Sequence, residues 1–208
     1  MLTLTSKQQG FSLVELMIGL VILAILIAAG LPVFSLWMQN TQNRSAAESI
    51  LNGLQMARTE AVRHNANVRF DFTSASGSIA WTVGCVNPVG DLNGDGELDC
   101  PAVIQSRSGG EGTGNARAGI STAAIPTPAL AGNFNPALAS GTGLPAGVTF
   151  TFLGRIPGVN IGTDITRIDI TNAASSAARR MVITIGTGGT IRMCDPALLL
   201  ANNPQGCA

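Results

Sequence analysis

The chain has 208 residues, of which 46% are apolar and 12% are charged. This balance is apolar for a soluble protein and indicates a membrane or assembly element beside a single globular domain. The 12 basic residues match the 12 acidic residues, so the chain lacks the global basic field that attracts nucleic acid. A local arginine patch is still compatible with these numbers.

A short polar segment precedes a long apolar run. Residues 1–10 carry one positive charge, at Lys7, and residues 11–37 contain one charged residue, Glu15. A helix needs about 20 apolar residues to cross a bilayer, whereas a secretory signal has a shorter apolar core followed by a small-residue cleavage site. The pattern predicts a leader followed by a single transmembrane helix. Lys7 favours a cytoplasmic N-terminus and a periplasmic C-terminal domain.

Residues 38–65 continue the helical pattern in amphipathic form. Apolar residues recur at three- and four-residue spacings, at Ala47, Ile50 or Leu51, Leu54, Ala57 and Ala61. This spacing predicts one long helix whose second half lays an apolar stripe on a globular domain. His64 is the only histidine, and we expect it on a solvated face of the helix.

From residue 66 to residue 208 the apolar period changes to two, which is typical of half-buried antiparallel strands. Strands are predicted around residues 68–72, 79–83, 148–152, 165–170, 181–185 and 191–193. Residues 109–147 are rich in small residues and proline, and we expect a long loop there with at most one strand. The predicted class is α+β, with the helix packed on an antiparallel sheet.

All four cysteines, Cys85, Cys100, Cys194 and Cys207, follow the apolar run. An even number of cysteines in two close-spaced pairs suits disulfides in an oxidising compartment. Three pairings are possible, and the short loops favour Cys85–Cys100 with Cys194–Cys207. Zinc is the alternative, although the spacing lacks C-x-x-C and a neighbouring histidine.

The N-terminus resembles type IV prepilins and the pseudopilins of type II secretion. The residues that carry the resemblance are Gly10, Phe11, Ser12, Leu13, Val14, Glu15 and Leu16. It implies cleavage after Gly10 by a prepilin peptidase, N-methylation of Phe11, and assembly with other pilin or pseudopilin subunits from the inner membrane. A carboxylate in hydrocarbon costs about 2.5 kcal/mol or more, so Glu15 is predicted to pair with the Phe11 amine of a neighbouring subunit.

The C-terminal residues 179–184 and 188–196 resemble the GspH/FimT branch, which comprises minor pilins or pseudopilins with a two-sheet domain. Some FimT-like members are linked to DNA uptake through a G-R-x-R motif, of which this chain keeps only the second arginine, Arg192. If Arg179, Arg180 and Arg192 lie near one another on adjacent strands, they offer contacts to phosphate. The leading prediction is a structural filament subunit, and the alternative is a filament-borne module that binds DNA or a surface ligand.

An acidic, glycine-rich segment suggests a calcium loop. Asp91, Asn93, Asp95 and Asp99 offer oxygen ligands at alternate positions, but the bidentate glutamate of an EF-hand is absent. The alternative is a hairpin turn rich in Asx and glycine. No nucleophile–base pair, metal triad or phosphate loop is visible in the sequence, so it predicts no enzyme and no cofactor apart from this calcium ion.

Overall fold

The computed structural model describes residues 11–91, 94 and 99–208, and the chain divides into two units between Met38 and Gln39. One helix, α1, begins at Leu13 and ends at Arg63. By length and composition α1 is apolar enough to cross a membrane, and its apolar part is not buried inside the chain. The prediction of one long helix is confirmed.

The second unit contains two antiparallel sheets of four strands each, so the α+β class is confirmed. One sheet has the order β3-β2-β1-β5 and the other β4-β6-β7-β8. The strands are β1 (Val68–Phe72), β2 (Trp81–Cys85), β3 (Gln105–Arg107), β4 (Ala116–Ser121), β5 (Gly147–Phe150), β6 (Arg167–Asn172), β7 (Met181–Ile185) and β8 (Ile191–Cys194).

The second half of α1 packs on the first sheet through small residues. The predicted stripe is confirmed, with Ile50 rather than Leu51 fully buried. Gly53 allows the close approach, because a Cβ there would lie 2.8 Å from the ring of Phe70 and 3.2 Å from Trp81. The indole Nε1 of Trp81 donates a hydrogen bond to Ser49 Oγ over 3.1 Å, which satisfies the one polar atom of that side chain.

Three local predictions were wrong. Strand β3 was missed, because its residues Gln105–Arg107 lack an apolar alternation. Phe152 is half-exposed beyond the end of β5, because a turn follows in which Thr151 N donates to the carbonyl of Arg155 over 2.8 Å. His64 is only 13% exposed and its Nε2 lies 3.2 Å from Glu60, so it is packed beside the helix end rather than solvated.

The long segment between residues 109 and 147 forms a single strand, β4, and a 3-10 turn at Ala131–Asn133, as expected. Below this turn lies a fully buried carboxylate, Asp169 on β6. Arg167 donates to both of its oxygens, over 2.6 and 2.8 Å, and Arg180 Nη1 donates to Oδ2 over 2.6 Å. Two guanidinium groups thus share one buried carboxylate.

The same two arginines hold the loop through its main chain. Arg167 donates to the carbonyls of Asn133 and Pro136 over 2.7 and 2.8 Å, and Arg180 donates to the carbonyl of Phe134. The Arg167 guanidinium also lies 5.4 Å from the centre of the Phe134 ring. We call this arrangement, residues 133–136 with Arg167, Asp169 and Arg180, the loop clamp.

Two disulfides join Cys85 to Cys100 and Cys194 to Cys207, with Cα–Cα distances of 5.8 and 5.0 Å. These are the pairings that the short loops favour, and they leave no thiolate for the zinc alternative. The second bridge ties the C-terminal residues to the end of β8. Closing loops of this length stabilises a fold by about 3 kcal/mol in the chain-entropy account.

We expect Asp169→Asn to lower the free energy of unfolding by about 3–5 kcal/mol, because it leaves the buried guanidinium of Arg167 and the partly buried one of Arg180 without a carboxylate. The measurement is urea unfolding of the detergent-solubilised chain, followed by the fluorescence of buried Trp81. The matched control is Asp71→Asn, which removes a half-exposed partner of Arg69 and should cost at most about 1 kcal/mol. Equal losses in the two variants would contradict the importance of the loop clamp.

Candidate functional site

The first candidate site is the start of α1. Phe11 is 83% exposed, and the helix opens with a hydrogen bond from Leu16 N to the carbonyl of Ser12 over 3.1 Å. Glu15 lies in the first helical turn, where the helix dipole favours a carboxylate. Within residues 11–91, 94 and 99–208, the Glu15 carboxylate has no hydrogen bond or ion pair. Gly10, the predicted cleavage residue, lies outside the described residues.

The apolar half of α1 has no cover from its own chain. Every side chain described between Phe11 and Met38 is exposed. An apolar surface of this length is not stable in water, so lipid or other protein chains must cover it. The unpaired Glu15 lies within that surface and needs a partner from the same surroundings.

The second candidate site consists of the three arginines. Arg179 lies where β7 approaches α1: its N–H donates to Asn40 Oδ1 over 2.7 Å, and its carbonyl accepts from Asn43 Nδ2 over 2.9 Å. The Arg179 guanidinium donates to the buried carboxylate of Asp195, and the Arg179 side chain is 53% exposed. Arg180 is 17% exposed and belongs to the loop clamp.

Arg192 lies on β8 opposite Thr184. Its Nη2 donates to the carbonyls of Pro204 and Gly206 over 3.2 and 2.5 Å, which holds the C-terminal segment beside the strand. The three arginines therefore donate to three separate sets of acceptors. Of the three, only Arg179 has a side chain that is more than half exposed, and that side chain is already paired with a carboxylate. DNA binding stays a prediction.

The candidate calcium loop is described only in part. Asp91 Oδ1 accepts a hydrogen bond from Gly94 N over 2.6 Å, as in an Asx turn. Asp99 N donates to the carbonyl of Gly90 over 3.4 Å. Asn93 and Asp95 lie outside the described residues. The described part of the chain contains no group of three histidine, cysteine or acidic residues that could hold a metal, and calcium binding stays a prediction.

A buried polar cluster that the sequence did not indicate closes the edge of β5. Arg69 Nη1 donates to Asp164 Oδ1 and to Thr149 Oγ1, both over 2.8 Å, and Thr149 N donates to Asp164 Oδ2 over 2.7 Å. Burial lowers the pKa of Arg69, but the hydrogen bond to Asp164 and the charge of Asp71 outweigh it, so the pKa lies above its ordinary value. The alternation of Arg69 with apolar residues along β1 was the only sequence signal.

Comparison with known proteins matches both parts of the chain. The prokaryotic N-terminal methylation motif matches residues 5–31. The family described as type II transport protein GspH matches residues 46–204. No curated protein matches the chain.

Two crystal forms of the type IV minor pilin FimU from Pseudomonas aeruginosa strain PAO1 are similar to the chain. The form in space group P21 is 17% identical, covers 83% of this chain and 99% of FimU, and has a TM-score of 0.47. The form in P65 is 18% identical, covers 79% of this chain and 99% of FimU, and has a TM-score of 0.45. Because the GspH family matches most of its length and the methylation motif matches its N-terminus, the chain belongs to the GspH family of minor pilins and pseudopilins.

Proposed function

We propose that this chain is cleaved after Gly10 by a prepilin peptidase, methylated on the new amine of Phe11, and built as a minor subunit into a filament that supports protein secretion or pilus biogenesis. The observation that carries the proposal is the apolar half of α1, in which every described side chain is exposed, with one unpaired carboxylate, Glu15, in its first turn. The methylation motif over residues 5–31 supports the processing step.

The chemistry of Glu15 explains why cleavage and assembly are linked. Before cleavage no amine exists at Phe11, because its nitrogen is in the peptide bond to Gly10. Cleavage creates a cation four residues before Glu15, which is about 6 Å along a helix axis. In a filament the amine of one subunit can instead meet the carboxylate of its neighbour. That pairing removes the cost of an isolated charge in an apolar bundle and fixes the axial register.

The proposed location follows from the same segment. Before assembly, α1 anchors the chain in the inner membrane as a single span, with the N-terminus in the cytoplasm and the disulfide-bonded domain in the oxidising periplasm. The peptidase and N-methyltransferase then act from the cytoplasmic side. The partners in the final state are other pilin or pseudopilin subunits, and the role is structural rather than catalytic.

We expect Glu15→Val to be processed normally but to enter filaments at least about tenfold less, since the mutant leaves the neighbour's amine unpaired in an apolar environment. The mature N-terminus is checked by mass spectrometry, and incorporation by immunoblotting of sheared filaments. The control is Gly19→Ala in the same segment, because no atom lies within 4 Å of its added Cβ in the isolated chain. Normal incorporation of Glu15→Val would remove the assembly role.

We expect deletion of the gene to impair a process that depends on a filament. The process that is impaired shows whether the chain belongs to a type II secretion system or to a type IV pilus. Twitching motility, natural transformation and exoprotein secretion are measured in the same deletion strain. A loss confined to secretion assigns the chain to a type II secretion system, and a loss confined to the other two assigns it to a type IV pilus. Three unchanged processes would contradict both assignments.

The half-exposed side chain of Arg179 supports a second candidate, a filament-borne module that binds DNA in transformation. We expect gel shifts with the purified chain in detergent to weaken between low and moderate salt, and Arg179→Gln to weaken them several-fold further, as for one lost phosphate contact. Arg155→Gln is the control, because it makes the same charge change at another exposed position. Absence of salt-sensitive binding would rule this candidate out.

A further inference from the structure

Strand β3 leaves one edge of the first sheet open. Antiparallel hydrogen bonds alternate from one side of a strand to the other, and in the β1–β2 ladder this alternation leaves Trp81 and Val83 facing β3. Gln105 and Arg107 pair with these two residues. Ser106 between them therefore directs its N–H and C=O away from the sheet. Neither group has a partner among the described residues.

Loops close the outer edges of β4 and β5 in the same domain. On β4, Ala118 N donates to the carbonyl of Gly77 over 2.7 Å, and Ile120 N donates to that of Thr142 over 2.9 Å. On β5, the Asp164 carboxylate accepts from Thr149 N over 2.7 Å. An open edge offers a row of main-chain donors and acceptors to any extended chain, which is why proteins usually close it. The edge of β3 lacks that protection.

A groove of about 440 Å³ runs beside this open edge. Residues 105–107 form one wall, and a polar face of α1 with Ser45, Glu48 and Asn52 forms the other. Gln105 and Arg107 share the sheet face of Trp81, against which α1 packs. A strand added beside β3 would therefore place alternate side chains against the polar face of α1. We call this space the β3 groove.

The β3 groove also contains an unmatched donor. Arg107 is 14% exposed, and its Nη2 donates to the carbonyl of Glu111. Its Nη1 is buried and has no acceptor among the described residues. Leaving such a donor unpaired costs about 1–3 kcal/mol, so a small rotation that brings Nη1 to an oxygen in the groove is favourable.

We propose that the β3 groove binds an extended peptide segment of another protein, which adds to the first sheet as a fifth strand. The main chain of the segment pairs with the N–H and C=O of Ser106, and a carbonyl or carboxylate oxygen of the segment accepts from Arg107. An extended strand fits because it presents free main-chain groups in the plane of the sheet, whereas a helix has already used them. The assignment is independent of the filament role of α1.

Ser106→Pro is the sharpest variant, because the lost N–H points outward and contributes nothing to the β2–β3 ladder. Ser106→Ala is the matched control and keeps the N–H. The probe is a phage-displayed library of random peptides of about 12 residues, selected against the full-length chain in detergent. We expect the selected peptides to bind the wild type and Ser106→Ala equally and to bind Ser106→Pro about tenfold more weakly, which is the effect of one lost hydrogen bond.

Amide hydrogen exchange gives a readout that does not depend on the proline variant. In the wild type, a bound peptide is expected to slow exchange of the Ser106 N–H while leaving the already paired Ala118 N–H unchanged. Peptides that bind all three proteins equally without protecting Ser106, or a library that yields no binder, would overturn the proposal. Self-association of the wild type that Ser106→Pro abolishes would also overturn it, because the occupant would then be a second copy of this chain.

Discussion

An apolar helical surface that its own chain leaves uncovered is the constraint on which the rest of the molecule depends. Every described side chain from Phe11 to Met38 is exposed, so the first half of α1 needs either lipid or neighbouring helices around it. Both environments satisfy the helix equally well, because its backbone hydrogen bonds are internal. In the proposed transfer from a bilayer to a filament, one apolar surrounding replaces another, and the proposed pairing of the Glu15 charge is what distinguishes the two.

The second half of the same helix has a different task, which is to carry a folded domain. Small residues such as Ala57 and Gly53 bring α1 close to the first sheet. Amides at the start of this half, Asn40 and Asn43, bond to the main chain of Arg179 just before β7. Asn43 Oδ1 also accepts from Asn172 on β6 of the second sheet. One helix thus contacts both sheets within the domain, by packing in one case and by hydrogen bonds in the other.

The sequence was informative wherever a single periodic pattern determined the structure. The extent of α1 followed from an apolar run and then a stripe at helical spacing, and the two-residue alternation located most strands. The missed elements have no such period. Strand β3 consists of three polar residues that form a strand because β2 lies beside them. Phe152 is half-exposed because the chain turns after β5, and the apolar character of phenylalanine does not indicate such a turn. Tertiary contacts determine the conformation of both segments, and a local sequence pattern carries no information about those contacts.

The candidate site shows the same limit. The sequence indicated Glu15 as a candidate because a lone carboxylate in an apolar run is unusual, and its role stays a proposal. The roles of the arginines could not be identified in advance, because the sequence does not show which acceptors lie nearby. Arg180 resembled a surface cation in the sequence but is committed to a carboxylate, Asp169, that lies on another strand. The main-chain groups of Ser106 point outward because of how the hydrogen bonds alternate in the β1–β2 and β2–β3 pairs. The amino-acid type at position 106 does not show this alternation.

The loop clamp has a consequence for how this domain can vary. Arg167 and Arg180 hold residues 133–136 through carbonyl oxygens, which almost every amino acid supplies equally. Apart from Phe134, whose buried ring packs on Arg167, the course of the loop is thus largely uncoupled from the identity of its side chains. Different residues can be displayed there on an unchanged path, so the surface chemistry of the loop can diversify while the buried charges beneath it keep its position.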